Sequence, residues 1–291
     1  MLNNMSTKIP LKLKLKKKIP IKQAQPEIST SFGMQTITIT FGDQAENHHG
    51  MMKIGQLADV GFSIVDLKLA QERFESKGYV CELIDLNQAL TGSGVIAEEA
   101  AVLIVRKGVD ALLQDAQLTS DQMWKEQVNL EWDSKAKMYG KVVNKKARRN
   151  LCYGETSQEP DYEAGKGRIV AFQDLPCTQM VRSQLEEFIG PKAQGLMAEG
   201  NYYYDISKCG ISWHGDFERK KVIAIRLGAS MPLHYQWFQQ SKPIGQRIPL
   251  VLNHGDLYVM SEKATGQDWK IKKKPTLRHA AGASKYLTIQ S

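Results

Sequence analysis

The pattern of apolar and polar residues changes near the middle of the chain. Before residue 130, stretches with helical periodicity alternate with short continuous apolar runs that are typical of strands. In chain order, the predicted elements are a helix in IVDLKLAQERFESKG, strands in YVCELIDL and AAVLIVRKG, and a helix in VDALLQDA. Residues 31–130 are therefore predicted to form an accessory α/β region.

From about residue 138, short apolar or alternating runs follow one another closely and are separated by Gly, Pro, Asn and Lys. The predicted strands lie in GRIVAF, GISWHGD, KVIAIRLG, LHYQWF, IPLVL, DLYVMS and YLTI. One clear helix, MVRSQLEEFI, interrupts this series. Closely spaced short strands are typical of a β-sandwich or barrel. The pattern thus predicts an α+β protein with a strand-rich domain over residues 131–291.

Residues 1–30 form a separate segment in which Lys alternates with Ile, Leu and Pro. Prolines at positions 10, 20 and 26 disfavour a continuous helix there. The segment is predicted to be a basic, flexible tail. Its composition fits a solvated extension, a nuclear-import signal or an arm that contacts phosphate backbones.

The net charge of +8 is concentrated in this tail. The first 26 residues hold seven lysines and no acidic residue, so the rest of the chain is close to neutral. A protein that coats nucleic acid with a uniformly basic surface is therefore excluded, and any contact with a polyanion must use the tail or local patches. The hydrophobic and charged fractions, 42% and 24%, are ordinary for a folded soluble protein.

Cysteine spacing and apolar run length bear on the cellular compartment. The four cysteines are far apart and include no Cys-x-x-Cys pair: Cys81, Cys152, Cys177 and Cys209. Free thiols in a reducing, intracellular compartment are expected, and the basic tail is compatible with a nuclear location. No apolar run reaches the roughly 18 residues of a membrane span. We expect no membrane partner and favour a monomer.

The tripeptide His-Gly-Asp occurs twice, at 214–216 and at 254–256. Side chains at positions i and i+2 of a strand point to the same face, so His-x-Asp presents an imidazole and a carboxylate to one point in space. A second histidine from another strand would complete a 2-His-1-carboxylate set, which holds Fe(II) and leaves coordination positions open. Those open positions suit O₂ and a chelating oxo acid.

The two copies have different local contexts. Asn253 precedes the second copy between IPLVL and LYVM, so residues 253–256 are predicted to be a hairpin turn. The first copy follows the alternating GISW, which places His214 and Asp216 at a strand end, where a ligand pair can face a barrel mouth. A Gly-x-Gly-x-x-Ala match at 92–97 lacks a βαβ frame, and no dinucleotide site is expected there.

A series of short motifs runs along the chain from residue 138 to residue 289. In order they are Tyr139-Gly140-Lys141, Tyr153-Gly154, Asn201-x-Tyr203, His214-x-Asp216, VIAIRLG, LHYQWF, NHGDLYVM and RHAAG, which contains His279. Their order and spacing resemble the AlkB-like branch of the Fe(II)- and 2-oxoglutarate-dependent dioxygenases. The resemblance implies a double-stranded β-helix, or jelly-roll, core in the C-terminal half, with the second His-Gly-Asp in a structural hairpin.

Carried over position by position, the resemblance implies that Fe(II) is the metal and that His214, Asp216 and His279 are its ligands. Asn201 and Tyr203 match the positions that hydrogen-bond the co-substrate, 2-oxoglutarate. The implied activity is oxidation of a substrate C–H group by O₂, coupled to conversion of 2-oxoglutarate to succinate.

The match is weakest at the C-terminal strand, where the family has two arginines and this sequence reads KYLTIQS. Lys285 is predicted to supply one positive charge for the distal carboxylate of 2-oxoglutarate. A lysine binds as a point charge and lacks the bidentate fork of an arginine. Arg226 and Arg278 are alternative anchors for that carboxylate.

Two basic clusters lie beside the predicted metal site. They comprise Lys135, Lys137, Lys141, Lys145, Lys146, Arg148 and Arg149, and then Lys270, Lys272, Lys273 and Lys274. In AlkB-like proteins the first segment contributes to a nucleotide-recognition lid, so the resemblance implies a DNA or RNA base as substrate. The residues predicted to bind it are Tyr139, Lys141, Arg148, Tyr153 and Trp269.

Oxidation of a methyl or other C–H group on that base would give oxidative demethylation or a hydroxylated base. Two other functions stay open at this stage. The missing arginines are compatible with a nucleic-acid-binding protein that keeps the fold without turnover, and a protein substrate would make the chain a protein hydroxylase. Among the other histidines, His48 and His49 are predicted to be a solvated pair, and His234 is predicted to lie in the core or a pocket wall.

Overall fold

The computed structural model describes residues 32–289, so the predicted tail lies outside the described residues. The structure is mixed α/β, and most of its elements are strands. In chain order, the strands are β1 (Thr36–Gly42), β2 (Gln44–Glu46), β3 (Lys53–Gly55), β4 (Cys81–Asp85), β5 (Ala101–Val105), β6 (Lys135–Met138), β7 (Lys141–Asn144), β8 (Arg149–Gly154), β9 (Ile169–Ala171), β10 (Met197–Tyr203), β11 (Gly210–His214), β12 (Val222–Gly228), β13 (Met231–Gln239), β14 (Lys242–Leu252), β15 (Leu257–Met260) and β16 (Thr276–Gly282). The helices are α1 (Ile64–Ser76), α2 (Gly108–Leu113), α3 (Ser120–Val128), α4 (Pro176–Ile189), α5 (Glu262–Thr265) and α6 (Ser284–Leu287).

Two sheets of unequal size organise the molecule. The large sheet has eight strands in the order β4-β5-β15-β12-β1-β10-β8-β9 and is open at both ends. The small sheet has four antiparallel strands in the order β11-β16-β13-β14. Two further strand pairs, β2-β3 and β6-β7, lie outside both sheets. Residues 31–130 thus contribute β1, β4 and β5 to the same sheet as the C-terminal part of the chain.

Strand β1 lies inside the large sheet, between β12 and β10. Its sequence, TITITFG, alternates strictly, so its two faces differ in chemistry. Ile37, Ile39 and Phe41 belong to the hydrophobic core on one side. Thr38 and Thr40 face the other side, where they line a cavity. This strand and β10 are absent from the elements predicted by the sequence.

Helices cover the first face of the large sheet. Apolar residues of α1, α2, α3 and α4 pack in one cluster with residues of β1, β12 and β15. Helix α1 begins with a capping box in which Ser63 and Asp66 exchange side-chain-to-backbone hydrogen bonds. Helix α4 begins at Pro176, which is pre-organised for a first helical turn, and Gly190 ends it with φ 118°. Among the described residues, no helix combines the length and the apolar character that a bilayer-spanning segment needs.

The small sheet packs on the second face of the large sheet. A second hydrophobic cluster joins Ala224 and Tyr258 of the large sheet to Tyr235, Trp237 and Leu277 of the small sheet. The indole Nε1 of Trp237 donates to a backbone carbonyl, so this large buried ring leaves no polar atom unsatisfied. The molecule therefore has a helix layer, a large sheet and a small sheet, and the cavity described below lies between the two sheets.

The predicted elements agree with the structure at most positions. Helices α1, α2 and α4 and strands β4, β5, β9 and β11–β15 occur where the apolar pattern predicts them. The strand predicted in YLTI is wrong, because Ser284–Leu287 forms α6. The small sheet ends at β11 on this side, and the segment satisfies its backbone internally, with the Thr288 N–H donating to the Ser284 carbonyl at 3.2 Å.

Candidate metal centre

Three side chains from two neighbouring strands and the turn after one of them meet at one point. His214 is the last residue of β11 and lies opposite His279 of β16 in the antiparallel register. Asp216 follows two residues later, and its Oδ1 lies 3.7 Å from Nε2 of each histidine. The ligand atoms of the three side chains all lie within 4.8 Å of one another, a spacing that one metal ion can bridge.

Hydrogen bonding and burial set the state of the imidazoles. Nδ1 of His214 lies 2.7 Å from the Ser212 carbonyl oxygen, so Nδ1 carries the proton and Nε2 keeps its lone pair toward Asp216. Burial, followed by the nearby ring of His279, lowers the pKa of His214 to about 3. The two rings lie with centroids 4.4 Å apart. A neutral imidazole with a free Nε2 is the form that binds a metal.

Asp216 supplies the negative charge of the cluster. Burial would raise the pKa of Asp216, but its interaction with His279 and then the charge of Arg219 hold that pKa below its ordinary value. The Asp216 N–H donates to the Thr265 carbonyl at 2.8 Å, which fixes the backbone at this point. The cluster therefore offers two imidazole nitrogens and one carboxylate.

Gly215, between the two ligands, allows a loop to pack against them. A Cβ atom at Gly215 would overlap the carbonyl oxygen of Gly266 and would lie 2.8 Å from Cδ1 of Trp269. Both approaches are well below a van der Waals contact, and the first obstacle is backbone. Gly215 is therefore needed so that the loop containing Gly266 can pack against it. This packing places Trp269 beside the His-Gly-Asp segment.

The three clustered side chains line a cavity of about 510 Å³. Its walls include side chains from the face of the large sheet that points away from the helices, among them Thr38, Asn201, Tyr203 and Tyr258. Burial raises the pKa of Tyr258 to about 12 and raises that of Tyr203, so both phenols are protonated near neutral pH and can donate hydrogen bonds. The volume suits a small molecule together with a metal ion.

A buried guanidinium forms part of the cavity wall. Arg226 is 1% exposed, and the register of β12, β1 and β10 places Arg226, Thr38 and Asn201 side by side. Within residues 32–289, Nε and Nη1 of Arg226 and Oγ1 of Thr38 have no hydrogen-bond partner. A buried charge without a counter-ion costs several kcal/mol, so this wall favours an anionic ligand.

A polar network continues from this wall along β10. Oδ1 of Asn201 accepts hydrogen bonds from Arg148 and Asn150, and Nδ2 of Asn201 donates to Glu199 at 3.0 Å. The other carboxylate oxygen of Glu199 accepts from the buried Arg219. These bonds fix the amide of Asn201 with one of its two hydrogens still available to a ligand.

Four predicted site residues lie away from the cavity: Tyr139, Lys141, Tyr153 and Lys285. Tyr139 is 98% exposed in the turn between β6 and β7, and Lys141 follows it at the start of β7. The alternation of β8 directs Tyr153 to the helix side, where its hydroxyl donates to Gln127. Lys285 is exposed on α6. The structure therefore places none of these four next to the cluster.

The alternative anchors also have different positions. Arg226 lines the cavity, whereas Arg278 does not. The guanidinium of Arg278 lies over the ring of Phe238, 4.2 Å from its centroid. Of the three cations considered for the distal carboxylate, Arg226 is the one that lines the cavity among the described residues.

Some residues of the cavity wall were not predicted. His48 and His49 line the cavity, so the prediction of a solvated pair is wrong for His48, which is half-buried and whose pKa is lowered by burial. Glu199 was also missed, although Glu199, Asn201 and Tyr203 are two residues apart and must share a face if the segment is a strand. Recognising β10 as a strand would have identified Glu199.

The second His-Gly-Asp has a structural role. Residues 253–256 form a turn, as predicted, but the prediction of a hairpin is wrong because β14 and β15 belong to different sheets. The Asp256 carboxylate accepts from the Asn253 N–H at 2.8 Å and closes the turn. His254 accepts a hydrogen bond from the Gly228 N–H at 3.0 Å and stacks on Phe32. His254 lies outside the cavity.

Comparison with known proteins links the chain to a viral protein. No protein-family model matches the chain. It is 49% identical over 254 residues to uncharacterized protein R156 of Acanthamoeba polyphaga mimivirus, and the match covers 87% of this chain and 98% of the viral protein. Identity at this level over nearly the full length of the relative means that the two chains share their fold and a common origin.

Proposed function

The chain belongs to the family of the mimivirus protein R156, and we propose that it is an Fe(II)- and 2-oxoglutarate-dependent dioxygenase that oxidises a C–H group of a nucleic-acid base. The proposal rests on two features that occur in the same cavity. A cluster of two histidines and one carboxylate shares a cavity with a buried guanidinium that has no partner for two of its nitrogens among the described residues. A metal ion needs the first feature, and a dicarboxylate co-substrate needs the second.

His214, Asp216 and His279 would hold the iron. Two imidazoles and one carboxylate on one side of the ion form the ligand set typical of non-haem Fe(II) oxygenases. When bound, the iron supplies the site where O₂ reacts, and the overall reaction converts 2-oxoglutarate, O₂ and a substrate C–H into succinate, CO₂ and C–OH. The chain's part is to keep His214 neutral through burial, to set its tautomer through Ser212 and to keep Asp216 ionised.

Arg226 would bind the distal carboxylate of 2-oxoglutarate. Its fork matches a carboxylate bidentately, and its burial strengthens the charge interaction relative to one in water. The hydroxyl of Thr38 lies beside it without a partner among the described residues, and the free amide hydrogen of Asn201 and the phenol of Tyr203 are further donors. Arg226 thus takes the role that the sequence assigns to Lys285.

The proposed core is a jelly roll. In support of this, the four antiparallel strands of the small sheet pack face to face on the β15-β12-β1-β10 part of the large sheet. A jelly roll consists of two such four-stranded layers. The additional strands of the large sheet and the helix layer would then be extensions of that core.

A nucleic-acid base is the proposed substrate because aromatic and cationic groups adjoin the metal cluster. Trp269 and Arg148 line the cavity, and Nε1 of Trp269 has no hydrogen-bond partner within residues 32–289. An aromatic ring beside the proposed metal site suits a flipped or unpaired base. Oxidation of an N-linked methyl would release formaldehyde, whereas oxidation of a C-linked methyl would leave a stable alcohol.

Spectroscopy and product analysis test the proposal. The protein is mixed anaerobically with Fe(II) and 2-oxoglutarate, its visible charge-transfer absorption is recorded, and succinate is quantified after air is admitted. We expect both signals from the wild type and neither from H214A or D216A. H254A is the matched control, because it removes the histidine of the other His-Gly-Asp, which lies outside the cavity. It should keep both signals and lose about 1–3 kcal/mol of unfolding free energy, since the Gly228 N–H loses its acceptor.

Two results would contradict the proposal. If folded wild-type protein shows neither the absorption band nor succinate, the chain is not an enzyme of this class, and binding of nucleic acid without turnover becomes the better hypothesis. If H254A loses the band while H279A keeps it, the ligand assignment is wrong. A parallel screen of methylated oligonucleotides and methylated peptides then identifies the substrate class by mass change.

A further inference from the structure

An exposed aromatic ring lies at the edge of the cavity, immediately after a metal-ligand position. Phe217 follows Asp216 directly, lines the cavity and is 48% exposed, so one face of its ring is open to a ligand. Nζ of Lys270 lies 4.4 Å from the centroid of this ring and 5.7 Å from that of Trp269. The cavity edge therefore carries both an aromatic ring and a cation.

The loop that carries Lys270 is fixed to the metal-ligand tripeptide. The Thr265 carbonyl accepts the Asp216 N–H at 2.8 Å, and the close approach of Gly215 to Gly266 brings the two backbones together. The Trp269 N–H closes a turn on the Gly266 carbonyl at 2.9 Å. The relative positions of Phe217, Trp269 and Lys270 are thus set by backbone contacts, so the edge is pre-organised.

The charges of this loop are available to a ligand. Lys270, Lys272 and Lys273 are exposed, as is Ile271, and within residues 32–289 these three lysines form no ion pair. Lys274 differs, because it is paired with Glu98 and Asp268. An exposed ring with Lys270 over it, and two further unpaired lysines that follow Lys270 in the same loop, are complementary to a polyanion that also carries flat aromatic groups.

We propose that Phe217, Lys270, Ile271, Lys272 and Lys273, here called the Phe217 edge, bind single-stranded nucleic acid, an inference that rests on the proposed function. A base next to the reacting one stacks on Phe217, and the lysines bind the phosphates that follow it. A duplex hides the faces of its bases, so stacking on Phe217 requires an unpaired strand. The edge therefore selects single strands, or locally opened ones, over intact duplex.

Fluorescence anisotropy on the full chain tests this inference without iron, 2-oxoglutarate or turnover. The probes are a fluorescein-labelled oligonucleotide of mixed sequence and the same strand annealed to its complement. F217L should weaken single-strand binding about ten-fold, the size of one base–aromatic stack, and leave duplex affinity within about two-fold. F217W keeps an aromatic face and should retain the wild-type affinity.

A double variant tests the phosphate contacts. K272A/K273A should lower the slope of log K against log salt for the single strand by about 1.4, or 0.7 for each phosphate that a lysine no longer neutralises. K68A/K125A is the matched control, since both lysines are exposed on the helix layer, and its slope should stay unchanged.

The inference is overturned if F217L binds the single strand as tightly as the wild type, or if F217W loses as much affinity as F217L. It is also overturned if poly-glutamate or anionic vesicles displace the oligonucleotide more effectively than an unlabelled strand does. Because the binding assay needs no iron, these outcomes are separate from a failure of the proposed oxidation. If the protein shows the iron spectrum but F217L binds the single strand normally, the proposed oxidation stands and the proposed binding by the Phe217 edge is wrong.

Discussion

Arg226 is a buried cation whose Nε and Nη1 lack partners among residues 32–289. Moving a charge from water into a protein interior costs several kcal/mol unless an opposite charge or enough hydrogen bonds accompany it. The folded protein without ligand therefore bears a cost that binding of a dicarboxylate would remove. Under the proposed function, the stability of the protein should therefore depend on the concentration of 2-oxoglutarate.

Replacing Arg226 by methionine should stabilise the ligand-free protein by on the order of 1 kcal/mol, because methionine fills much of the same space without a charge. The R226M variant should also lose the rise in melting temperature that 2-oxoglutarate and Mn(II) together produce in the wild type. Thermal unfolding with and without the two ligands measures both effects. The control R278M, which changes an arginine outside the cavity, should respond to the two ligands like the wild type. If R226M keeps the wild-type rise in melting temperature, Arg226 does not bind the distal carboxylate of 2-oxoglutarate.

Lys145 is a second cation close to the cavity. Its ammonium donates to Oδ1 of Asn47 at 2.6 Å, and Asn47 in turn donates to Asp133. Burial lowers the pKa of Lys145 to about 8, although the charge of Asp133 acts in the opposite direction. The folded chain therefore releases this proton at a lower pH than the unfolded chain, in which the pKa is 10.5.

The contribution of Lys145 to the free energy of unfolding should rise with pH through this window. Between about pH 8 and 10.5 the unfolded chain binds the Lys145 proton and the folded chain does not, so raising the pH favours the folded state. Below about pH 8 both states hold the proton, and the cost of burying the charge is fully present. Urea unfolding of K145M should lack this rise, whereas the exposed-site control K68M should show it. Equal slopes in K145M and the wild type would refute the shift.

At the scale of elements, the two His-Gly-Asp segments differ in structure although their sequences are identical. Gly215 has ordinary backbone angles, and packing against Gly266 excludes a side chain. Gly255 has φ 84° in the turn between β14 and β15, where an L-residue is strained, and the nearest atom to an added Cβ is a flexible lysine carbon at 3.1 Å. Gly215 is therefore needed because the Gly266 backbone packs against it. Gly255 is needed because its backbone has a positive φ.

Alanine at these two positions should have separable effects. G215A should weaken Co(II) or Mn(II) binding at least ten-fold, because the added methyl group must displace either the Gly266 loop or the backbone between His214 and Asp216. G255A should bind metal normally and lose about 1–2 kcal/mol of unfolding free energy through left-handed strain. Metal titration and urea unfolding of both variants measure this. Normal metal binding by a folded G215A would show that the loop contact does not position the ligands.

Strand register is the other feature at this scale that builds the cavity. Thr38 pairs with both Arg226 and Asn201, so three strands place one donor each on the same line. A slip of one residue in β1 would turn Thr38 toward the helices and bring Ile37 or Ile39 into the polar wall. The isoleucines prevent such a slip, because the core on the helix side buries them completely. Hydrophobic packing on one face thus fixes the polar geometry on the other.

At the scale of the whole molecule, the charge is unevenly distributed. The first 26 residues carry seven lysines and no acid, and the rest of the chain is nearly balanced. The Phe217 edge is thus a local basic patch within a body that is close to neutral. Affinity for a polyanion and chemistry at the metal cluster are expected to depend on different parts of the chain.

Deleting residues 1–26 tests this separation. The deletion should weaken binding to long DNA or RNA and reduce its salt dependence by about 0.9 for each lysine that contacts a duplex phosphate. Iron-dependent succinate formation with a short substrate should stay within about two-fold of the full chain, because the described wall of the cavity is built from residues between Thr38 and Ala281. Binding isotherms at several salt concentrations and a succinate assay measure the two properties. Loss of chemistry on deletion would mean that the segment contributes to the site.

Much of the fold follows from local pattern. The helical periodicity and capping box of α1 and the apolar runs of β5 and β12 suffice to predict these elements, because each depends on residues close together in the chain. The segment YLTI shows the limit of such patterns: its β-prone residues form a helix because the sheet has already ended at β11. Sheet position is a non-local property that a short window does not contain.

Some residues of the candidate site can likewise be identified from the sequence, and others only from the structure. Spacing alone places His214 and Asp216 on one side of a strand end, and the order of motifs picks out His279, Asn201 and Tyr203. Only the tertiary structure distinguishes Arg226 from Lys285 and Arg278 and brings His48 and Trp269 to the same cavity. These choices depend on which strands become neighbours and on their register, and both are decided by burial of apolar faces far apart in the chain. Local sequence thus determined the candidate metal ligands, and the packing of the strands decided which side chains surround them.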